Sequence, residues 1–188
     1  MFKFLFKLGK WKITHYLPDN IKKCVVVAAP HTSNWDFFYG VAAIQIMKLN
    51  MRFTIKKEWM RFPFKRFMSS LGALPIDRTA IKTGEKRGSV DAIADLFTNR
   101  NELCLMVTPE GTRSKMIKWK TGFYYIALKA NVPIALGFID YKTRTCGIDK
   151  IIYPTGDFKV DMKQIMDFYK NITAKHPQNF SVDVELAS

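Results

Sequence analysis

A histidine and an aspartate close the run His31, Thr32, Ser33, Asn34, Trp35, Asp36. The run follows the apolar, β-rich stretch 23–29 and Pro30, so it falls in the loop at the end of a strand. Thr32 or Ser33 is suited to cap a following helix, and Asp36 then lies in its first turn, where a carboxylate is favoured. One helical turn folds Asp36 back towards the imidazole. A carboxylate bonded to one ring nitrogen fixes the tautomer and leaves the other nitrogen free to take a proton. Capping and packing alone would use the same residues. The sequence has no G-x-S-x-G elbow and no cysteine beside the histidine. Direct attack by a substrate hydroxyl is therefore simpler than a covalent intermediate.

Two further clusters hold guanidinium groups. Residues 72–78 place Arg78 after an apolar segment, with Asp77 beside it. Arg78 there either closes an ion pair at a strand end or faces a phosphate, which its planar fork fits. Residues 108–114 follow the apolar run Leu103–Val107. Pro109 and Gly111 force a turn in which backbone N–H groups can converge. Glu110 offers an orienting acid and Arg113 a second phosphate ligand, with Lys115, Lys118 and Lys120 close behind. Read alone, the segment is equally a polar loop with solvated lysines.

In order and spacing the three clusters resemble the motifs of the glycerolipid acyltransferases, the 1-acylglycerol-3-phosphate acyltransferases and their relatives. His31 and Asp36 match the H-x-x-x-x-D signature, residues 72–78 the second block, and residues 109–114 the P-E-G-T-R-S block. Val132, Pro133 and Ile134 are similar to the short apolar fourth block. The resemblance covers about residues 20–155. Pro30 stands where many members carry an asparagine, and no membrane-spanning helix precedes the first motif.

The resemblance implies a glycerol-3-phosphate acyltransferase-like fold and a fatty-acyl transfer in phospholipid biosynthesis. The donor would be a thioester, acyl-CoA or acyl-carrier protein, serving as co-substrate with no cofactor and no metal. The acceptor would be a hydroxyl of a lysophospholipid such as 1-acylglycerol-3-phosphate. His31 would act as general base, oriented by Asp36, with no acyl-enzyme. Because a thiol has a pKa of about 8.5, the departing thiolate needs little acid assistance. Arg78, Glu110, Gly111, Thr112 and Arg113 would shape the acceptor-phosphate side.

The elements that must hold these loops alternate along the chain. Apolar runs at 23–29, 51–56, 103–107, 133–140 and 148–153 read as strands. Residues 37–47, 85–99, 123–130 and 162–172 have helical spacing. Alternating strands and helices predict a single α/β domain with a largely parallel central sheet flanked by helices. The expected organisation is an amphipathic basic segment at 1–19, an acyltransferase domain at 20–175 and a C-terminal tail at 176–188. Sites in such open sheets lie at the strand ends, where the motifs fall.

An apolar fraction of 48%, with 15 phenylalanines, rules out intrinsic disorder. The net charge of +14 calls for an anionic partner. Cys24, Cys104 and Cys146 form no framework or metal pattern, which favours a reduced cytosolic compartment, and Cys24 and Cys104, in apolar strand-like segments, read as core thiols. The N-terminal lysines break any signal-peptide apolar core, and no uncharged apolar run reaches the roughly 18 residues needed to span a bilayer. If residues 2–17 are helical, Phe2, Leu5, Phe6, Ile13, Tyr16 and Leu17 share one sector, with Lys3, Lys7 and Lys10 opposite and Phe4 and Trp11 on a flank. That pattern fits a helix lying in a membrane surface; the alternative is a terminal helix packed on the domain with solvated lysines. The segment 56–67, with Trp59, Arg61, Phe62, Lys65 and Arg66, has the same mixture. Together with Phe2, Lys3, Phe6, Lys7 and Trp11, these residues predict a peripheral protein on the anionic cytoplasmic face of a membrane. Two rivals are a catalytically silent membrane-surface protein on the same scaffold and a basic nucleic-acid-binding domain. The second carries no recognised binding signature, and it leaves the ordered His/Asp and Glu/Arg clusters unexplained.

Overall fold

The computed structural model describes residues 2–56, 64–70, 72–76 and 88–187. Its strands are β1 (Lys12–His15), β2 (Lys23–Ala29), β3 (Met51–Lys56), β4 (Ala73–Ile76), β5 (Leu103–Val107), β6 (Ile134–Asp140) and β7 (Thr145–Ile152). Its helices are α1 (Phe2–Leu8), α2 (Asn34–Met47), α3 (Phe64–Ser70), α4 (Ser89–Thr98), α5 (Gly122–Ala130), α6 (Phe158–Tyr169) and the short α7 (Val184–Ala187). Among the described residues the strands form one sheet in the order β1-β7-β6-β2-β5-β3-β4. The five strands from β6 to β4 are mutually parallel, and β7 runs antiparallel to β6. The largely parallel, helix-flanked α/β domain predicted from the alternation is thus the architecture observed.

Both faces of the sheet are covered, which is why its central strands read as unbroken apolar runs. Val25 and Val27 of β2 point into a core built with Phe97 of α4, Phe123 and Ile126 of α5, and Met162 and Ile165 of α6. Cys24 and Val26 point to the other face, against Ile44 of α2 and Met51. All three cysteines are buried free thiols. The parallel register Val27↔Val107 sets the ends of β2 and β5 side by side, so the loops that follow them are neighbours.

The N-terminus departs from a continuous helix over 2–17. Helix α1 stops at Leu8, Lys10 takes a left-handed φ of 55°, and the chain then pairs as strand β1 with β7. The cause is tertiary: Trp11 inserts between Phe6, Tyr39 and Tyr141, and an edge strand captures the β-branched Ile13 and Thr14. The backbone of His15 approaches so closely at Gly147 that a β-carbon there would collide with it. Phe6 and Trp11, expected at a lipid surface, are instead core residues only 5% and 8% exposed. The tail is also built in. Asp183 accepts a hydrogen bond from the Trp119 backbone (3.0 Å), and the Trp119 indole donates to the Ser181 carbonyl (2.9 Å).

Candidate active site

Ser33 caps α2, its backbone extended at φ −147° and its hydroxyl accepting from the Trp35 N–H. Asp36, three residues into the helix, closes the capping box from the other side. Its Oδ2 accepts the N–H groups of Thr32 and Ser33, each at 2.7 Å. Oδ1 accepts the Tyr141 hydroxyl at 2.6 Å. Oδ2 also faces His31 Nδ1 at 3.8 Å. One carboxylate thus caps the helix and lies near the imidazole, at a separation longer than a direct hydrogen bond.

Burial holds the His31 pKa below its ordinary 6.5; the Asp36 charge opposes that shift and Arg113 adds to it. The ring is thus neutral near neutral pH, the form a general base requires.

Glu110 lines neither of the two cavities that border His31. It is only 3% exposed, and its Oε1 accepts the backbone N–H of His31 at 3.1 Å. The carboxylate thereby ties the loop after β5 to the loop after β2. Oε2 has no hydrogen-bond partner. Burial raises the Glu110 pKa to about 7, with the His31 N–H opposing and the Asp36 charge adding to the rise.

The remaining motif residues turn outwards. Gly111 takes φ 65°, open to glycine at little cost, and Lys120 folds over the space a side chain would need there. Gly111, Thr112, Arg113, Thr108 and Ser114 line a polar cavity of about 450 Å³ that also includes His31. His31 borders a second, larger cavity of about 800 Å³ as well. That one is walled mainly by apolar side chains, among them Val41, Ile44, Met47, Phe53 and Met106. The imidazole stands where a polar compartment lined by Arg113 meets a larger apolar one.

Of the other expected residues, Arg78, Trp59, Arg61 and Phe62 lie outside the described residues. Lys65 and Arg66 are exposed on α3, and Lys3 and Lys7 on α1. Phe2 is half-buried against Phe38. The sequence reading missed Tyr141, which joins Asp36 from 105 positions away and follows an ordinary strand end. It also missed Leu8, Trp35 and Phe37, which with the flanking Phe4 are the large apolar side chains that α1 and the start of α2 leave exposed. Among the described residues, no group of three His, Cys, Asp or Glu side chains could hold a metal. No described helix is long and apolar enough to cross a membrane.

The fold is that of a known class of enzyme. It resembles the crystal structure of the 1-acyl-sn-glycerophosphate acyltransferase PlsC from Thermotoga maritima, with a TM-score of 0.55 and 19% identity. The likeness covers 98% of this chain and 78% of that one. No curated protein is a significant match to the sequence. The Acyltransferase family model matches residues 12–135, from β1 into β6, a span that includes both the His31 and Arg113 loops. This chain belongs to the acyltransferase family, as its motifs imply.

Proposed function

We propose that the protein transfers a fatty acyl chain from a thioester, acyl-CoA or acyl-carrier protein, to a hydroxyl of a lysophospholipid such as 1-acylglycerol-3-phosphate. The observation that carries this reading is the place of His31, at the junction of an apolar cavity and an Arg113-lined polar one. An acyl chain suits the first compartment and a phosphate the second, so the reacting hydroxyl and carbonyl meet beside the imidazole.

In this reading the Nε2 atom of His31 takes the proton of the acceptor hydroxyl while Nδ1 faces Asp36. The oxygen attacks the thioester carbonyl, a tetrahedral intermediate forms, and the C–S bond breaks. The imidazolium returns its proton to the thiolate, and the imidazole is neutral again. General-base action contributes about two to four powers of ten, and fixed alignment of the two substrates supplies much of the remainder. No cofactor enters the cycle.

The enzyme would work as a peripheral protein on the anionic cytoplasmic face of a membrane. Phe4 and Leu8 are both 68% exposed, one helical turn apart on α1, with Lys3 and Lys7 beside them. Trp35 and Phe37, in the first turn of α2 that follows the His31 loop, add exposed aromatic side chains. Interfacial aromatics and basic side chains together favour anionic lipid. Offering both thioester donors to a panel of lysolipids, with and without a phosphate headgroup, tests the reading. Acyl transfer to phosphorylated acceptors that His31→Ala abolishes is the expected result; transfer at full rate in that variant would refute it.

A further inference from the structure

We infer that Tyr141 is a positioning residue of this site, whose hydroxyl turns the Asp36 carboxylate so that Oδ2 confronts His31. The inference rests on the reading of His31 as the base. Asp36 Oδ2 is held by two N–H groups of its own loop, Thr32 and Ser33. Both bonds meet one oxygen, so by themselves they leave the carboxylate free to swing about that point. The Tyr141 O–H fixes the second oxygen at 2.6 Å from a distant part of the chain. With both oxygens tethered, the plane of the carboxylate is set.

The ring that delivers this bond is itself held from several sides. Trp11 packs edge-on at 5.0 Å and Tyr39 at 6.3 Å between centroids. The Lys175 ammonium lies 5.9 Å from the ring and 4.8 Å from Trp35. The Tyr141 backbone N–H donates to Thr173 at 2.9 Å. So much packing around one phenol suits a group whose direction matters, because a buried polar bond is effective only where its geometry is fixed. Tyr141 lies beyond residues 12–135, the stretch that the family model matches.

The test is Tyr141→Phe, which keeps the ring and deletes the oxygen. The full chain is assayed with lysophosphatidate and whichever acyl thioester the wild type uses, across the pH range. kcat should fall about 10-fold, as losing a hydrogen bond to a charged group would give, while KM for both substrates holds. The acid limb of kcat/KM should move to higher pH by about 0.5 unit, because a carboxylate that no longer shares its charge with the phenol favours the imidazolium more. Besides Asp36, the charge that acts on His31 is Arg113, and Glu110 holds its backbone N–H; Lys175 lies over the Trp35 and Tyr141 rings, and His176 donates its N–H to Thr32. All are unchanged in this variant. Tyr39→Phe removes a hydroxyl from the neighbouring ring and should alter neither quantity. An unchanged kcat in Tyr141→Phe overturns the inference, and so does a loss that leaves the acid limb in place and tracks a lower melting temperature. If His31→Ala stays active, the underlying reading fails instead; an inactive His31→Ala beside a normal Tyr141→Phe overturns the inference alone.

Discussion

The loops after β2 and β5 lie side by side but are held in opposite ways. In the first, three polar side chains of the motif are engaged: Ser33 caps α2, Asp36 accepts three hydrogen bonds, and Thr32 Oγ1 accepts the His176 N–H. In the second, Glu110 is buried and tied back to His31, whereas Gly111, Arg113 and Ser114 are exposed. A proton-transfer group must be aligned before substrate arrives, since misplacement costs rate directly. A group that grips a headgroup can remain solvated and close on its ligand. In the proposed mechanism the contrast separates a prepared reacting centre from an adaptable binding rim, with Glu110 as the joint between them.

The largest expected effect breaks the prepared side. His31→Ala should lower kcat by about 1,000-fold, within the range for a general base, while the melting curve barely changes. Acyl transfer at the wild-type rate would remove the imidazole from the mechanism.

The joint comes next. Glu110 titrates near 4.5 when unfolded and at about 7 when folded, so between those values the native state binds the extra proton. Stability is therefore highest below about pH 4.5 as far as this group is concerned, and it declines as pH rises to 7. Glu110→Gln retains an acceptor for the His31 N–H and has no charge to bury. Above pH 7 it should be more stable than wild type by about 2–3 kcal/mol, with a flatter pH dependence in chemical denaturation. Parallel curves for the two proteins would mean that Glu110 is charged in the fold.

On the adaptable rim, Arg113→Ala should raise KM for a phosphorylated acceptor about 10-fold, with a smaller change in kcat. Arg113 helps to hold the His31 pKa down, so its loss should also shift the acid limb of kcat/KM to higher pH. A variant that lost kcat alone would place Arg113 with the reacting groups and dissolve the contrast. The smallest effect belongs to the exposed face of α1. Leu8→Ser should weaken binding to anionic vesicles about 5-fold while leaving turnover of a micellar acceptor unchanged. Equal vesicle binding would shift the lipid contact to another face.

How much of this was legible depended on whether a residue's environment was local. The bounds of β2, β3 and β5 agree with the apolar runs 23–29, 51–56 and 103–107, because strands covered on both faces need little else to specify them. The cap and the approach of Asp36 to His31 were equally readable, since one helical turn generates both. Strand β1 was not: Lys12, Thr14 and His15 give an edge strand little apolar pattern, and only β7 makes it a strand. Strand β4 was noticed as an apolar segment but is short, with Pro75 inside it. Charge could be read for Glu110 but direction could not, so an acid expected on the phosphate side lies behind the loop. Tyr141 had no local signal, because its role exists only once β6 has been laid beside β2.

The missing side chain at Gly147 has a mechanical result. It allows the backbone of His15 to lie flush against β7, so the arm bearing Phe4 and Leu8 is bolted to the sheet and does not trail from it. In the proposed peripheral attachment, a bilayer that holds those two side chains would hold the entire domain. In the proposed membrane contact, the angle of the domain on the lipid surface and the depth of His31 relative to it follow from the way α1 and β1 join the sheet.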